Sequence, residues 1–317
     1  MKILSFQEFL NEKRIEKIDE SGNAFDGTSP IPAEYQIPTF NVLKKELFTA
    51  IGIDKEGWAG LGSTFKKKPG MTSGDMDFAI NGLVAGAHLG VAYEDVPQAV
   101  LKTVNKLFPK YETTFRFGDS IFILKFPQYD ERGKKTEEWV QIDFMIVDDL
   151  ELAKYMFHSP DFTKDESQYK GLFRNILLMD IIGNIEIEKD KEYYKDEFGS
   201  EYAGLVKTFN KYSITAQDGL KIQRKTYDGK KGRKKNAAVM REHDKIITKD
   251  VNEITKFALG PDATVQDTVS FESVWRWVLS DKFVHKHKRK EIIDTYVASL
   301  KSKNFPIPTE TADYLGI

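Results

Sequence analysis

Residues 58–80, W-A-G-L-G-S-T-F-K-K-K-P-G-M-T-S-G-D-M-D-F-A-I, restrict the fold of this chain more than any other stretch. Gly60, Gly62 and Ser63 predict a turn that no regular element tolerates well, whereas residues 75–80, D-M-D-F-A-I, alternate as a strand does. A period of two puts Asp75 and Asp77 on one face and Met76, Phe78 and Ile80 on the other, buried one. Two carboxylates side by side repel unless a cation sits between them. The hard divalent ion suited to such a pair is Mg²⁺, which keeps some of its waters and fills the rest of its shell with substrate phosphate oxygens. The Gly-Ser turn supplies a complement to that ion: backbone N–H groups open to an anion, the Ser63 hydroxyl, and positive charge from Lys66, Lys67 and Lys68.

Two metal ions clamping the attacking and leaving oxygens of an in-line displacement call for a third carboxylate. Residues 139–147, W-V-Q-I-D-F-M-I-V, predict another strand, with Val140, Ile142, Phe144 and Ile146 on one face and Asp143 on the other. An acid in so apolar a run is costly without a compensating partner. Taken singly, Gly-Ser is a turn, Asp-x-Asp a solvated strand end and three lysines a wet loop. Taken together, Gly62-Ser63, eleven residues, Asp75-Met76-Asp77 and then a lone Asp143 on a later strand resemble the nucleotidyltransferase superfamily that includes DNA polymerase beta. The string Ser73-Gly74-Asp75-Met76-Asp77 is similar to the family X polymerases in particular. The resemblance spans about a third of the chain, roughly residues 58–160.

Other chemistries lack their residues. Gly60-x-Gly62 has no third glycine and no preceding apolar strand, so no dinucleotide fingerprint is present, and neither a Walker Gly-Lys-Ser/Thr nor a Gly-x-Ser-x-Gly elbow occurs. His285-x-His287 is the one histidine pair with ligand spacing, and it lies in a basic run unsuited to cations. With no cysteine, disulfides and thiolate sites are excluded, which fits a reducing compartment. No apolar run approaches the ~18 residues of a transmembrane helix, so no membrane partner is expected. The formal charge of −2 gives no global attraction to nucleic acid, and any such binding must be local.

Residues 1–19 place Ile3, Phe6, Phe9 and Leu10 near one helical face, and residues 20–38, rich in Gly, Ser, Pro and Asp, predict a linker. A short amphipathic helix before a linker resembles the head-targeting peptides of tailed-phage internal proteins, trimmed after an apolar-x-Glu tripeptide such as Leu10-Asn11-Glu12. An ordinary helix packed on the domain is the alternative. On either reading the linker makes residues 1–30 separable from catalysis. Helices are predicted over 40–51, 96–108, 150–157 and 169–185, a Gly-rich connection over 82–90, two strands over 113–126 and a polar loop over 127–135. Further helices are predicted over 248–259, 270–279 and 289–300, with Trp275 and Trp277 packed in the core or between domains and an extended tail near Pro306 and Pro308. Residues 186–201 carry dense charge of both signs and predict a solvated boundary.

The expected fold class is α+β: a 1–37 helix and linker, a nucleotidyltransferase palm with a small mixed sheet over 38–165, and a mostly helical C-terminal domain over 166–317. By resemblance, the activity is transfer of a nucleoside monophosphate from an NTP or dNTP to a hydroxyl. Asp75, Asp77 and Asp143 are then catalytic and bind two Mg²⁺ ions, with Mn²⁺ as a substitute, and Gly62, Ser63 and Lys66 hold the phosphates. Tyr155 or Phe157 would contact the incoming sugar and base. A basic run of Lys221, Arg224, Lys225, Lys230, Lys231, Arg233, Lys234 and Lys235, with Tyr227 inside it, suits an RNA or DNA end as acceptor. A second cluster, residues 282–290, adds Lys286, Lys288 and Arg289. The alternatives are a protein or small-molecule acceptor, or a non-catalytic phage head protein on the same fold. The host-cell cytoplasm is the expected location, or the phage head if the N-terminal peptide is a targeting signal.

Overall fold

The computed structural model describes residues 24–116, 121–187, 206–228, 239–242 and 244–317. The expected N-terminal helix, its Leu10-Asn11-Glu12 tripeptide, most of the charged 186–201 stretch and the tip of the basic run all lie outside these residues. The architecture is α+β, with a mixed sheet covered by helices in the N-terminal half.

That sheet has five strands, β2 (Trp58–Gly60), β4 (Asp75–Asn81), β5 (Thr113–Arg116), β6 (Ile121–Tyr129) and β7 (Lys135–Val147), in the order β2-β4-β7-β6-β5. β4 and β7 run parallel and the other neighbours antiparallel. A short two-stranded pairing joins β1 (Ile31–Pro32) to β3 (Thr72–Ser73) just before β4. One face of the large sheet carries a row of stacked phenylalanines. Phe78 lies opposite Phe144 in the β4/β7 register, and Phe144 opposite Phe122 in the β6/β7 register, with ring centroids 6.1 and 5.7 Å apart. All three rings are fully buried, together with Met76, Ile80, Leu124 and Ile142. Each aromatic pair adds about 0.5–1.5 kcal/mol beyond burial, and a slip of one residue would turn every ring to the other face. The row therefore fixes the register that the opposite face depends on.

Helices α1 (Ala33–Leu43), α2 (Gly82–Leu89) and α3 (Val96–Leu107) cover this core. Two of them correct the sequence expectations. α1 begins inside the stretch expected to be a linker, seven residues before the predicted 40–51 helix, and contains Pro38. It continues into a π-helical turn, Lys44–Phe48. Burial of Phe40, Leu43, Leu47 and Phe48 outweighs the proline. The Gly-rich 82–90 connection is helix α2, capped by Asn81, whose Oδ1 accepts from the Leu83 and Val84 N–H groups, and closed by Gly90 in the left-handed region. The polar 127–135 loop shrinks to a turn, because β6 runs to Tyr129 and β7 starts at Lys135.

The C-terminal half opens with α4 (Leu150–Met156) and α5 (Gly171–Gly183). It then departs from the mostly helical expectation by holding a four-stranded antiparallel sheet: β8 (Val206–Thr215), β9 (Gly219–Asp228), β10 (Val239–Glu242) and β11 (Lys245–Thr248). Helices α6 (Val251–Leu259), α7 (Phe271–Leu279), α8 (Arg289–Ser302) and α9 (Thr309–Leu315) follow, α9 standing where an extended tail was expected. Leu177, Ile181, Ile254, Val274, Trp275, Ile293 and Tyr296 form the core between them. No helix among the described residues is long and apolar enough to cross a membrane.

Candidate active site

Because the phenylalanine row occupies one face of β4 and β7, the alternating residues point to the other. Asp77 sits directly opposite Asp143 across the parallel pair, and Asp75 lies two residues along, opposite Gln141. Carboxylate oxygens of Asp75, Asp77 and Asp143 come within 4.8 Å of one another. Asp75 is buried and the other two are half-buried. Burial pushes the Asp77 carboxyl well above the usual carboxylate range, and the charges of Asp75 and Asp143 push it the same way. The cluster is thus destabilised by its own charge, a cost that a bound cation removes. Its all-oxygen donor set suits a hard divalent ion.

The Gly-Ser turn follows β2 and faces the carboxylates. Gly62 adopts φ of +55°, and a Cβ at that position would lie 2.9 Å from Asp77 Oδ2, so the backbone approaches the acid as only glycine allows. The turn is tied down on both sides. Leu61 N–H donates to the Asp77 carbonyl, Asp77 N–H donates to Thr64 Oγ1, and Gly62 N–H donates to the Phe157 carbonyl, each at 2.9 Å. Ser63 Oγ lies 3.4 Å from Ser73 Oγ. Behind them Gln36, buried on α1, accepts from Phe65 N–H at 2.7 Å and donates to Ser73 Oγ at 3.1 Å. One side chain thereby joins the turn to the segment leading into Asp75. Phe65 itself sits at φ of +65°, strain that the Gln36 bond and contacts with Phe40 and Phe78 hold in place.

The remaining expected residues divide. The half-buried Lys66 ammonium donates to the Ser159 carbonyl at 2.7 Å, and burial lowers its pKa. It thus stands beside the turn, anchored to the segment that follows α4. Tyr155 is 5% exposed and belongs to the C-terminal core: Thr255 Oγ1 donates to its hydroxyl and the Arg174 guanidinium lies 4.6 Å over its ring. It presents no open face to a nucleotide, because its helical position turns it inward. Phe157, which follows α4, keeps an exposed ring while its carbonyl receives Gly62 N–H.

Of the basic run, Lys221, Arg224 and Lys225 lie on β9. Lys221 pairs with Asp218 at 2.8 Å and Asp244 at 2.5 Å, and Arg224 is 9% exposed, which removes both from the expected phosphate contacts. Lys230, Lys231, Arg233, Lys234 and Lys235 lie outside the described residues, as does the Lys225 side chain. The second cluster is also engaged within the fold: Lys288 pairs with Glu186 at 3.0 Å, and Arg289 donates to the Ser280 carbonyl.

Four residues without an assigned role in the sequence motif complete the surroundings. Gln36 and Thr64 brace the turn, and Gln141 Nε2 donates to Asp143 Oδ1 at 2.7 Å. Arg174 is 2% exposed and bonds neutral acceptors, donating to the Thr268 and Tyr155 carbonyls at 2.5 and 2.6 Å. Gln141 alone has a visible signal in the sequence, as a polar residue two positions before Asp143 on the same face of an apolar strand.

No family model matches the chain, and no curated protein does. Among solved structures, the chain is similar to the ternary gap complex of Leishmania infantum polymerase beta at 12% identity, covering 85% of this chain and 78% of that one, with a TM-score of 0.38. For the ternary P/T complex of the same polymerase the identity is 11%, the coverage 84% of each chain and the TM-score 0.36. At such values the functional reading rests on the carboxylates and the turn that faces them.

Proposed function

We propose that this protein is a metal-dependent nucleotidyltransferase, moving a nucleoside monophosphate from an NTP or dNTP to a hydroxyl and releasing pyrophosphate. One observation carries the reading: Asp77 and Asp143 face each other on parallel neighbouring strands, with Asp75 completing a cluster whose oxygens lie within 4.8 Å. Asp75, Asp77 and Asp143 are the residues that would hold Mg²⁺ or Mn²⁺. Bound there, such ions supply Lewis acidity at the α-phosphate and neutralise the leaving pyrophosphate. In the transfer, the acceptor oxygen bonds to the α-phosphorus and the bond to the β-phosphate oxygen breaks. Asp143 assists removal of the hydroxyl proton. Ser63 offers the β- and γ-phosphates its hydroxyl, with Lys66 adding positive charge beside it, while Gly62, whose N–H is taken by the Phe157 carbonyl, lets the turn approach the carboxylates. The exposed ring of Phe157 is the candidate surface for the nucleotide's sugar and base.

An RNA or DNA end remains the proposed acceptor, supported now by the basic residues 230–235 without Lys221 and Arg224. Incubating the protein with each α-labelled NTP or dNTP and Mg²⁺, in the presence of RNA, DNA or a protein extract, tests both parts. Label in a nucleic-acid product is expected. Label in protein would instead give the alternative acceptor, and no Mg²⁺-dependent label in any product would refute the activity. For the acceptor itself, replacing Lys230, Lys231, Lys234 and Lys235 by Gln should flatten the slope of log affinity against log salt by roughly 0.7–0.9 for each phosphate no longer neutralised. An unchanged slope would exclude these lysines from binding.

A further inference from the structure

We infer that Gln141 is a positioning residue for Asp143 and that the chain around Ala24 belongs to the site through it. Gln141 is fully buried on β7, next to Asp143 on the same face and opposite Asp75 across the β4/β7 pair. A buried amide is costly unless its polar atoms are matched. Here Oε1 accepts from Ala24 N–H at 2.8 Å and Nε2 donates to Asp143 Oδ1 at 2.7 Å. Only one orientation of the amide satisfies both contacts. A backbone N–H requires the oxygen and a carboxylate requires the NH₂ group, so Ala24 dictates which end of Gln141 meets the aspartate.

The kind of residue matters as much as its place. A Lys or Arg in that position would hold Asp143 and also cancel its charge, weakening its attraction for a metal ion. A glutamine supplies a directional donor and leaves the carboxylate charged. Asp143 therefore keeps a fixed rotamer while remaining a full anionic ligand.

The segment that brings Ala24 to this spot is fastened along β6 and β7. Ser29 N–H donates to the Trp139 carbonyl at 2.8 Å and Ser29 Oγ to Glu138 at 2.7 Å. Gln128 Nε2 donates to the Ser29 carbonyl at 3.1 Å, and Lys125 Nζ to the Asp26 carbonyl at 2.6 Å. Immediately beyond, Ile31 pairs with Ser73, two residues before Asp75. The expectation that residues 1–30 are separable from catalysis is thus reversed from residue 24 onward.

The test uses the full chain and Mn²⁺ itself, read by electron paramagnetic resonance of the free ion, so that it stands apart from turnover. Gln141→Met keeps the size and removes both hydrogen-bonding groups. It is expected to weaken Mn²⁺ binding by about 10–100-fold, the usual effect of losing a ligand's supporting partner. Ala24→Pro removes the N–H that orients the amide, fixing the local φ as well, and should weaken binding less. Placed in the Gln141→Met background it should have no further effect, because both changes act through one chain of hydrogen bonds. Unchanged Mn²⁺ affinity in Gln141→Met, or full additivity of the pair, overturns the inference. If Gln141→Met fails to fold, Ala24→Pro alone decides, with unaltered affinity counting against it. The inference depends on the nucleotidyltransferase reading for its turnover arm alone: kcat should fall with the nucleotide KM unchanged. A wild-type chain that binds Mn²⁺ and transfers no nucleotide refutes that reading and leaves this inference intact. A wild-type chain that binds no Mn²⁺ refutes both.

Discussion

Asp77 loses solvent and gains two like-charged neighbours in the same step of folding, and both effects favour its protonated form. The folded chain therefore holds this proton to higher pH than the unfolded chain does. Stability of the metal-free protein from this group falls as pH rises above the ordinary value of 3.8 and stays low once the raised folded value is passed. Asp77→Asn keeps the shape and removes the charge. Its metal-free melting temperature at pH 7 should exceed that of wild type by roughly 2 °C or more; a lower one, measured by calorimetry, would mean that Asp77 is held by structural hydrogen bonds. His158 titrates with the opposite consequence. Burial pushes it down to about 4 from 6.5, with Lys66 and Arg174 acting in the same direction. The unfolded chain then takes up this proton first, so stability is full above pH 6.5 and is lost as pH falls towards 4. His158→Gln should flatten the melting profile across that window, and an unaltered slope would show that His158 is not the group responsible.

At the level of elements, the parallel pairing of β4 with β7 creates the site, and the Gly-Ser turn shapes it. Gly62→Ala should cost about 1–2 kcal/mol from its left-handed backbone alone, and its Cβ would press on Asp77 Oδ2 at 2.9 Å. Gly70→Ala is the control, having φ of +83° and nothing within 4 Å of the added atom. Denaturant unfolding with Mn²⁺ titration should show both variants destabilised and only Gly62→Ala weakened in metal binding. Equal metal binding in the two would remove the turn from the site. The sequence displays these elements because both acidic strands carry an apolar residue at every second position, Met76-Phe78-Ile80 and Ile142-Phe144-Ile146 marking the buried face. Helix α1 is hidden by Pro30, Pro32 and Pro38, since its stability comes from Phe40, Leu43 and Gln36 meeting distant residues. Helix α2 is hidden by its glycines, although one of them has a packing reason. A Cβ on Gly82 would come within 2.6 Å of the Tyr93 ring. The β8–β9 hairpin is hard to see because its charged residues read as a loop; Lys221 is neutralised by Asp218 in the hairpin's own turn and by Asp244 just before β11. Tyr155 misleads for a related reason, since an aromatic near a site looks alike in sequence whether it faces a ligand or the core.

Across the whole molecule, the C-terminal half braces the segment after α4 that bonds the Gly-Ser turn. Arg174 holds the Tyr155 and Thr268 carbonyls, Lys249 pairs with Asp148 at 2.6 Å, and Gln217 donates to the Ile146 carbonyl at 2.8 Å. From α4 the chain passes directly to Phe157, whose carbonyl receives Gly62 N–H. Arg174→Met would strand two buried carbonyls at a cost of about 1–3 kcal/mol each. Its melting temperature should fall, with the nucleotide KM rising as the Phe157 segment loosens; a fall in stability with no change in KM would confine Arg174 to packing. The proposed activity requires the three aspartates to act as a metal site. Mn²⁺ titration of wild type and Asp77→Asn, both folded and at the same pH, tests that claim most directly. Binding to wild type is expected, weakened by more than about tenfold in Asp77→Asn, since even a ligand's supporting partner is worth that much. Equal Mn²⁺ affinity in the two proteins would contradict it.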